Sequence, residues 1–135
     1  MISGNSDLTG KIIAAAIAVH RELGPGYLEK IYEEALAIEL GSQGTPFERQ
    51  PAVPVFFRNT KIGEHRLDML VDGMVIVELK AIAAIEGIHY ATLRSYLNAT
   101  NLETALLFNF ATVPLTIKRV GRHWTGSTDE SQNLY

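Results

Sequence analysis

The sequence contains no cysteine, no long apolar run and no excess of positive charge over its 135 residues. The absence of cysteine excludes disulfides and thiolate metal sites, and it permits a reducing compartment without proving one. No apolar stretch approaches the roughly 20 residues that a membrane helix needs, and the first residues lack the basic start and apolar core of a signal peptide. We therefore expect a cytoplasmic protein that does not enter a membrane.

The net charge of −3 limits the kinds of nucleic-acid binding that suit this chain. A protein that coats nucleic acid is usually basic, because neutralisation of phosphates dominates such binding. A nuclease is still compatible with this charge, since carboxylates that hold a metal ion lower the total. The apolar fraction of 47% and the length are those of one globular domain, which we place at residues 1–120, with a polar and loose tail over 121–135.

Helical and extended patterns follow one another along the chain. Apolar residues at helical spacing predict helices over 7–23 and 28–43, capped first by Asn5-Ser6-Asp7 and joined by Gly24-Pro25-Gly26. Further elements are predicted as three strands, a helix and two strands over 52–57, 64–71, 74–81, 86–100, 104–109 and 115–120. The order α-α-β-β-β-α-β-β predicts an α/β fold with a central mixed sheet flanked by helices. The prolines of the first strand indicate an edge position or an irregular start.

Charged residues interrupt an apolar strand at Glu78 and Lys80, within the run Val75–Ala81. The two positions alternate, so both side chains project from the same face of the strand. A half-buried carboxylate or ammonium costs several kcal/mol unless it is paired or bound to metal, which favours a functional site. From the charge pattern alone, a surface salt bridge of Glu78 with Lys80 or Arg66 explains the same residues equally well.

Asp68 interrupts the preceding strand, and the turn at Asp72-Gly73 decides which face it shares. A two-residue loop with regular pairing would turn Glu78 to the face opposite Asp68. A three-residue loop, Val71-Asp72-Gly73, would pair Asp68 with Ile76 and bring all three charged residues onto one face. If these residues form a site, we predict that odd loop or a bulge elsewhere in the hairpin.

Asp68, Glu78 and Lys80 on one face would make a coherent metal-dependent site. Two carboxylates a few ångströms apart bind Mg²⁺ or Mn²⁺, which prefer oxygen ligands and retain several waters. The metal acidifies a bound water and offsets charge that grows on a phosphoryl oxygen, while a neighbouring lysine orients that water or stabilises the transition state. The pattern is therefore compatible with metal-dependent phosphoryl chemistry.

The same residues resemble a known motif. Asp68, followed after nine residues by Glu78-Leu79-Lys80 at the end of an apolar run, is similar to the core motif of the PD-(D/E)XK nuclease superfamily. The resemblance implies a restriction-endonuclease-like α/β core with a Mg²⁺-dependent phosphodiester site. In that site Asp68 and Glu78 would be the metal ligands and Lys80 the catalytic lysine.

A second segment resembles one branch of that superfamily. The stretch Val19–Glu33 is similar to the signature of the GxxExxY branch, with Gly26, Glu29 and Tyr32 at its named positions. Later blocks agree in order, so the similarity covers roughly residues 8–120. It implies that Glu29 is an acidic residue contributed to the site by a helix, although a carboxylate near a helix start also suits the helix dipole without any such role.

One position departs from that branch. The helix after the core motif often carries a glutamine there, in a pattern like His-x-Ala-Gln-Leu, whereas this chain has Thr92 within His89–Leu93. A hydroxyl is shorter and donates a single proton. The departure puts in question either the contact of this helix with the site or the rate of catalysis.

Three other side chains have simpler explanations. His20 has no second histidine at ligand spacing, so a structural role is favoured over metal binding. Tyr32 and Tyr96 are expected to pack and to hydrogen bond through their hydroxyl groups. Together with Thr92 they are candidates only for supporting the site or touching substrate.

Two functions follow as hypotheses. The first is a Mg²⁺- or Mn²⁺-dependent nuclease that acts on DNA. The second is a catalytically inactive descendant of the fold that binds or regulates, which the net charge and Thr92 favour slightly. A small domain with two exposed sheet edges can also form a homodimer, by analogy with nucleases of this fold that dimerise to cut two strands.

Overall fold

The fold is given by a computed structural model that describes residues 4–122, with side chains from Asp7 onward. The predicted capping side chains of Asn5 and Ser6, and the predicted tail beyond Arg122, lie outside the described residues. None of the helices within residues 4–122 is long and apolar enough to cross a membrane.

Two helices joined by a tight turn begin the chain. α1 spans Gly4–Leu23 and α2 spans Glu29–Ser42, which confirms both predicted helices to within a few residues. The glycines of the turn, Gly24 and Gly26, have φ angles of 68° and 115°. These left-handed angles carry little steric cost for a residue without Cβ, so the turn can end α1 abruptly.

Seven strands and one further helix follow. They are β1 (Phe47–Arg49), β2 (Ala52–Phe57), β3 (Thr60–Arg66), β4 (Met69–Val71), β5 (Val75–Lys80), α3 (Gly87–Thr100), β6 (Thr104–Asn109) and β7 (Thr116–Gly121). Five strands make the central sheet in the order β1-β4-β5-β6-β7. The β5–β6 pair is parallel and the others are antiparallel. The predicted α/β fold with a mixed sheet flanked by helices is confirmed.

The prediction of one continuous strand over residues 64–71 is wrong. The single strand expected over 64–71 is two strands, because the chain changes partner there: β3 pairs with β2, whereas β4 pairs with β1 and β5. Leu67 still belongs to the first pairing, since its N–H donates to Pro51 O at 3.1 Å. Apolar periodicity continues through this change of partner and therefore does not reveal it.

Two further strands differ from their prediction. β1 was not predicted, because three residues that include Glu48 and Arg49 show no strand periodicity. β2 does not join the central sheet and pairs only with β3 in a separate two-stranded ribbon. The proline within β2 is compatible with that position, since a ribbon leaves one side of the strand without a ladder.

The core lies on both faces of the central sheet. Val75, Val77 and Leu79 of β5 pack on the side of α1 and α2, and Ile76 packs on the side of α3. Each fully buried aliphatic side chain of this kind contributes about 1.5–3 kcal/mol. Glu78 projects from the same face of β5 as Ile76, because side chains two residues apart along a strand share a face. Its carboxylate therefore lies next to the buried core on the α3 side of the sheet.

The β4–β5 turn meets the geometric condition for a shared site, but with a different loop from the one expected. Val71 pairs with Val75, so the loop has three residues, Asp72, Gly73 and Met74. The predicted odd loop is confirmed, whereas the specific loop Val71-Asp72-Gly73 is wrong. Asp72 and Gly73 take left-handed φ angles of 53° and 65°. Extending this register by one step places Asp68 opposite Glu78, with Lys80 on the same face.

Candidate active site

The candidate site begins where β4 ends and β5 continues. β4 begins at Met69, which pairs with Val77, so the ladder between β4 and β5 stops before it reaches Asp68 and Leu79. The N–H of Leu79 donates instead to Oδ2 of Asp68, at 2.8 Å. The Asp68 side chain thus replaces a missing rung of the ladder, which holds its carboxylate beside the end of β5.

Glu78 is the most buried charged side chain of the candidate set, with 8% of its surface exposed. Its Oε2 lies 3.4 Å from Lys80 Nζ in a partly buried ion pair. Its Oε1 is buried and receives no hydrogen bond from any described residue. An unsatisfied carboxylate oxygen of this kind costs free energy, because it has lost its water without gaining a partner.

Burial and the nearby carboxylate change how Glu78 ionises. Burial raises the pKa of Glu78 to about 7, with a further contribution from the negative charge of Asp68 that the Lys80 ammonium only partly offsets. The pKa of Asp68 is also raised, chiefly by burial and despite the hydrogen bond from Leu79. Either a proton or a cation between the two carboxylates would relieve this repulsion.

A cleft of about 560 Å³ opens beside Asp68. Its walls come from α2, from β1 and the residue after it, and from the ends of β4 and β5, through Glu29, Lys30, Glu33, Arg49, Gln50, Asp68 and Leu79. This volume is in the range of ordinary ligand sites. The cleft therefore gives a ligand access to the Asp68 carboxylate from the α2 side.

Glu29 stands at the mouth of this cleft and is exposed. Its Oε2 accepts a hydrogen bond from the N–H of Ala81 at 3.3 Å, so the first turn of α2 lies against the end of β5. Within residues 4–122, however, no group of three or more histidine, cysteine, aspartate or glutamate side chains is arranged to hold a metal ion. Glu29 thus lies at the site without completing a three-carboxylate cluster.

Glu33 lines the same cleft and was not singled out from the sequence. It is only 9% exposed, although it is charged. Its Oε1 accepts a hydrogen bond from Gln50 Nε2 at 2.9 Å, and its Oε2 accepts one from Arg49 Nε at 3.0 Å. Its spacing from Glu29 is i,i+4, which places both carboxylates on one stripe of α2 and could have identified it.

His20 and Tyr32 make hydrogen bonds that hold loops. His20 Nε2 is 2.9 Å from Thr112 O, and only a protonated ring nitrogen can donate there. The Tyr32 hydroxyl donates to Gly24 O at 2.6 Å and its ring stacks on Phe110 at 4.3 Å between centroids. The hydroxyl also accepts the N–H of Tyr27, so Tyr32 fastens the turn between α1 and α2.

Tyr96 is close enough to the site to sense its charge. The pKa of Tyr96 is raised by burial first and then by the negative charges of Glu78 and Asp68. Thr92 is half-buried and lies one turn earlier on α3, on the same stripe as Tyr96. The structure thus brings this stripe of α3 toward the carboxylates from the face opposite α2.

The residues present fit a divalent metal ion. Mg²⁺ and Mn²⁺ prefer oxygen ligands and keep several waters, so two carboxylates can suffice as protein ligands. Asp68 and Glu78 supply such a pair, and the Glu78 Oε1 atom has no other partner among the described residues. Lys80, with 24% of its side chain exposed, forms an ion pair with Glu78 beside this pair of carboxylates.

Comparison with known protein families gives a match over most of the chain. A family model described as the PD-(D/E)XK nuclease superfamily matches residues 6–120, which is most of the chain. No curated protein and no solved structure matches it.

Proposed function

Because the chain belongs to the PD-(D/E)XK nuclease superfamily, we propose that it hydrolyses DNA phosphodiester bonds with a divalent metal ion held by Asp68 and Glu78. Membership indicates a nuclease-like function and a nucleic-acid substrate, and nucleases of this superfamily usually use divalent metals. The α/β architecture is consistent with a restriction-endonuclease-like fold. Metal dependence, DNA as the substrate and the roles of individual residues are the proposed part.

The observation that carries the proposal is the Oε1 atom of Glu78. This atom is buried and receives no hydrogen bond from the described residues, and the negative charge of Asp68 acts on the Glu78 carboxyl group. A purely structural ion pair with Lys80 would not require a second acid in the same place. A site that takes up a cation explains both the unsatisfied oxygen and the pair of carboxylates.

Each residue then has a definite task. Asp68 and Glu78 would hold Mg²⁺ or Mn²⁺, and the bound ion supplies acidification of a water and compensation of phosphoryl charge. Lys80, in contact with Glu78, orients that water or stabilises charge on the phosphoryl oxygens. Glu29 lies at the cleft mouth, where it can accept a hydrogen bond from the water or position it.

Metal binding and cleavage together test this proposal. Wild-type protein should bind Mn²⁺ in a paramagnetic titration and should cut DNA only when Mg²⁺ or Mn²⁺ is present. Asp68→Asn keeps an acceptor for the Leu79 N–H but removes the charge, so it should weaken Mn²⁺ binding by about tenfold or more and abolish cleavage. Asp72→Asn, in the exposed β4–β5 turn, is the matched control and should change neither.

A second function is favoured by two observations. The Glu78–Lys80 ion pair at 3.4 Å can persist without metal, and residues 4–122 contain no three-ligand cluster. Both suit a nuclease-fold module that binds nucleic acid without cutting it. If wild-type protein binds DNA but neither takes up Mn²⁺ nor cuts any form of nucleic acid, this module replaces the enzyme.

Three finer expectations remain predictions. They are membership of the GxxExxY branch, a homodimer and a cytoplasmic location. The homodimer can be checked directly by light scattering of the purified chain, with and without DNA.

A further inference from the structure

The β2–β3 ribbon, residues 52–66, is an arm attached to the central sheet. It forms its own two-stranded sheet and pairs with no strand of the main one. Large apolar side chains near its far end are exposed: Phe56 by 59%, Phe57 by 56% and Ile62 by 63%. The turn residues Arg58 and Asn59 have left-handed φ angles of 48° and 65°, so the arm ends in a narrow two-residue turn.

The arm has the opposite charge to the rest of the chain. It contains Arg58, Lys61 and Arg66 against a single acid, Glu64, while the whole chain has a net charge of −3. The Arg58 guanidinium lies 4.9 Å from the centroid of the Phe57 ring, which supports it at the tip. Lys61 pairs with Glu64 at 2.9 Å, but both are about half exposed, and such pairs exchange readily for other anions.

The base of the arm is fastened beside Asp68. The chain leaves the sheet after Gln50, whose N–H donates to Asp68 O at 3.0 Å. It returns through Arg66, whose Nη1 donates to Gln50 O at 2.7 Å. On the other side of the sheet, the His65 ring packs edge-on against Tyr96, with centroids 4.7 Å apart. The direction of the arm is thus set by residues that contact or neighbour the site.

We propose that this arm lies in the major groove of duplex DNA and that Arg58 and Asn59 touch the bases there. The proposal rests on the nuclease function proposed above. A two-stranded ribbon is one of the two elements that the major groove of B-DNA admits, and arginine and asparagine are the side chains best suited to guanine and adenine edges. The positive charge of the arm matches the phosphates on either side.

The length of the arm gives the position of this contact. Six or seven extended residues span about 20 Å, which corresponds to about six base pairs along a duplex. With its base at Asp68, the arm reaches DNA about half a helical turn from the phosphate at the carboxylates. The enzyme would then recognise a duplex on one side of the cut.

Binding without cleavage is the direct test. Fluorescence anisotropy in a metal chelator measures the affinity of the full chain for a duplex of about 24 base pairs at several salt concentrations. Replacing Arg58 and Lys61 by glutamine should weaken binding about tenfold and reduce the slope of log affinity against log salt by about 1, because only Lys61 is expected to contact a phosphate. The matched control replaces Lys11 and Arg21, exposed on α1 across the sheet, in the same way and should change little.

A third variant and a second probe sharpen the test. Glu64→Gln frees Lys61 from its pair, so it should tighten duplex binding rather than weaken it. An RNA duplex of the same sequence has a major groove too deep and narrow for a ribbon. Replacing Arg58 and Lys61 by glutamine should therefore change the affinity for this RNA duplex little. Groove insertion would be overturned if the Arg58 and Lys61 double variant lost as much affinity for RNA as for DNA. It would also be overturned if the Lys11 and Arg21 double variant lost as much affinity for DNA as the arm variant.

Failure of the arm and failure of the nuclease are distinguishable. If wild-type protein cuts DNA while the Arg58 and Lys61 double variant binds and cuts like the Lys11 and Arg21 control variant, the arm proposal is wrong and the proposed nuclease function is supported. If wild-type protein cuts no nucleic acid, but the Arg58 and Lys61 double variant still loses duplex affinity, the arm proposal is supported and the catalytic proposal is wrong. If wild-type protein binds no duplex, the arm proposal is overturned.

Discussion

Two buried carboxylates stand on different walls of the site, and their surroundings differ. Glu33 on α2 and Glu78 on β5 are 9% and 8% exposed. Both oxygens of Glu33 accept hydrogen bonds, from Gln50 and Arg49. Only one oxygen of Glu78 has a partner, Lys80, while the other has none among the described residues.

This difference indicates that Glu33 has a structural role, whereas Glu78 has an oxygen that can still bind a cation. Glu33 is part of the cleft wall, and both of its oxygens accept hydrogen bonds, from Arg49 of β1 and from Gln50 after it. These bonds join α2 to the end of β1. Glu78 keeps one oxygen without a partner, and its pKa is about 7 because burial and Asp68 oppose ionisation. Groups that are kept unsatisfied at a stability cost are concentrated at functional sites, so the two acids should respond differently to the same substitution.

The largest expected difference is in catalysis. Glu78→Gln should lower the rate of metal-dependent DNA cleavage by about 1,000-fold, because it removes a proposed ligand and its charge. Glu33→Gln should lower that rate by no more than about threefold, since its oxygens are not available to a metal. Single-turnover cleavage and Mn²⁺ titration measure both variants, and similar losses in the two would remove the distinction drawn here.

The next largest difference is in stability, with opposite signs. The folded-state pKa of Glu78, about 7, lies above its ordinary value of 4.5. The protonated carboxyl therefore stabilises the fold below pH 4.5, and this contribution is lost as pH rises through 7. Glu78→Gln should then match wild type near pH 4.5 and raise the free energy of unfolding above pH 7 by up to about 3 kcal/mol.

Glu33→Gln should instead destabilise the fold by about 1–2 kcal/mol at neutral pH, because it weakens hydrogen bonds to a charged acceptor. Urea unfolding at several pH values measures both variants. Glu34→Gln is the matched control, because Glu34 pairs with the same arginine at 2.8 Å but is exposed. A Glu78→Gln variant that is less stable than wild type at pH 8 would contradict the assignment of an unsatisfied oxygen.

The smallest expected effect concerns α3. Thr92→Gln places a longer amide donor on the stripe that carries Tyr96, and we expect this donor to reach the Glu78 oxygen that has no partner among the described residues. A donor to the ionised form lowers a carboxyl pKa, here by less than about one pH unit. Carboxyl NMR titration of Glu78 measures the change, with Asn98→Gln on the exposed part of α3 as control. An unchanged or raised pKa would show that this stripe does not contact Glu78.

Local patterns sufficed for much of the fold. Helical spacing and the Gly-Pro-Gly turn predicted α1 and α2, and the apolar run 104–109 predicted β6, because burial on one or both faces leaves a direct mark on residue order. Partner choice left no such mark. The change of pairing at Leu67 and the separate β2–β3 arm depend on competition between distant strands, which periodicity does not encode.

The site divides in the same way. Charged residues within an apolar strand pointed to Glu78 and Lys80, and an odd turn was required for Asp68 to join them; the turn is odd, though it is made of other residues. Glu33 was missed, because its burial results from Arg49 and Gln50, which approach from another strand. Its spacing from Glu29 was visible, but spacing alone does not separate a buried acid from a solvated one.

The sequence by itself determined the residue types: an apolar strand that ends in two charges, an aspartate in the strand before it, and no cysteine with which to build another kind of metal site. Tertiary structure alone decided which carboxylate is satisfied. Hydrogen bonds and burial depend on neighbours that lie far apart in the chain. Arg49 of β1 and Gln50 after it donate hydrogen bonds to Glu33, whereas the hydrogen-bonding or charged partners of Glu78 among the described residues are Lys80 and a second acid, Asp68. Because their hydrogen-bond partners differ, these two similarly buried acids are expected to have different roles, a structural one for Glu33 and metal binding for Glu78.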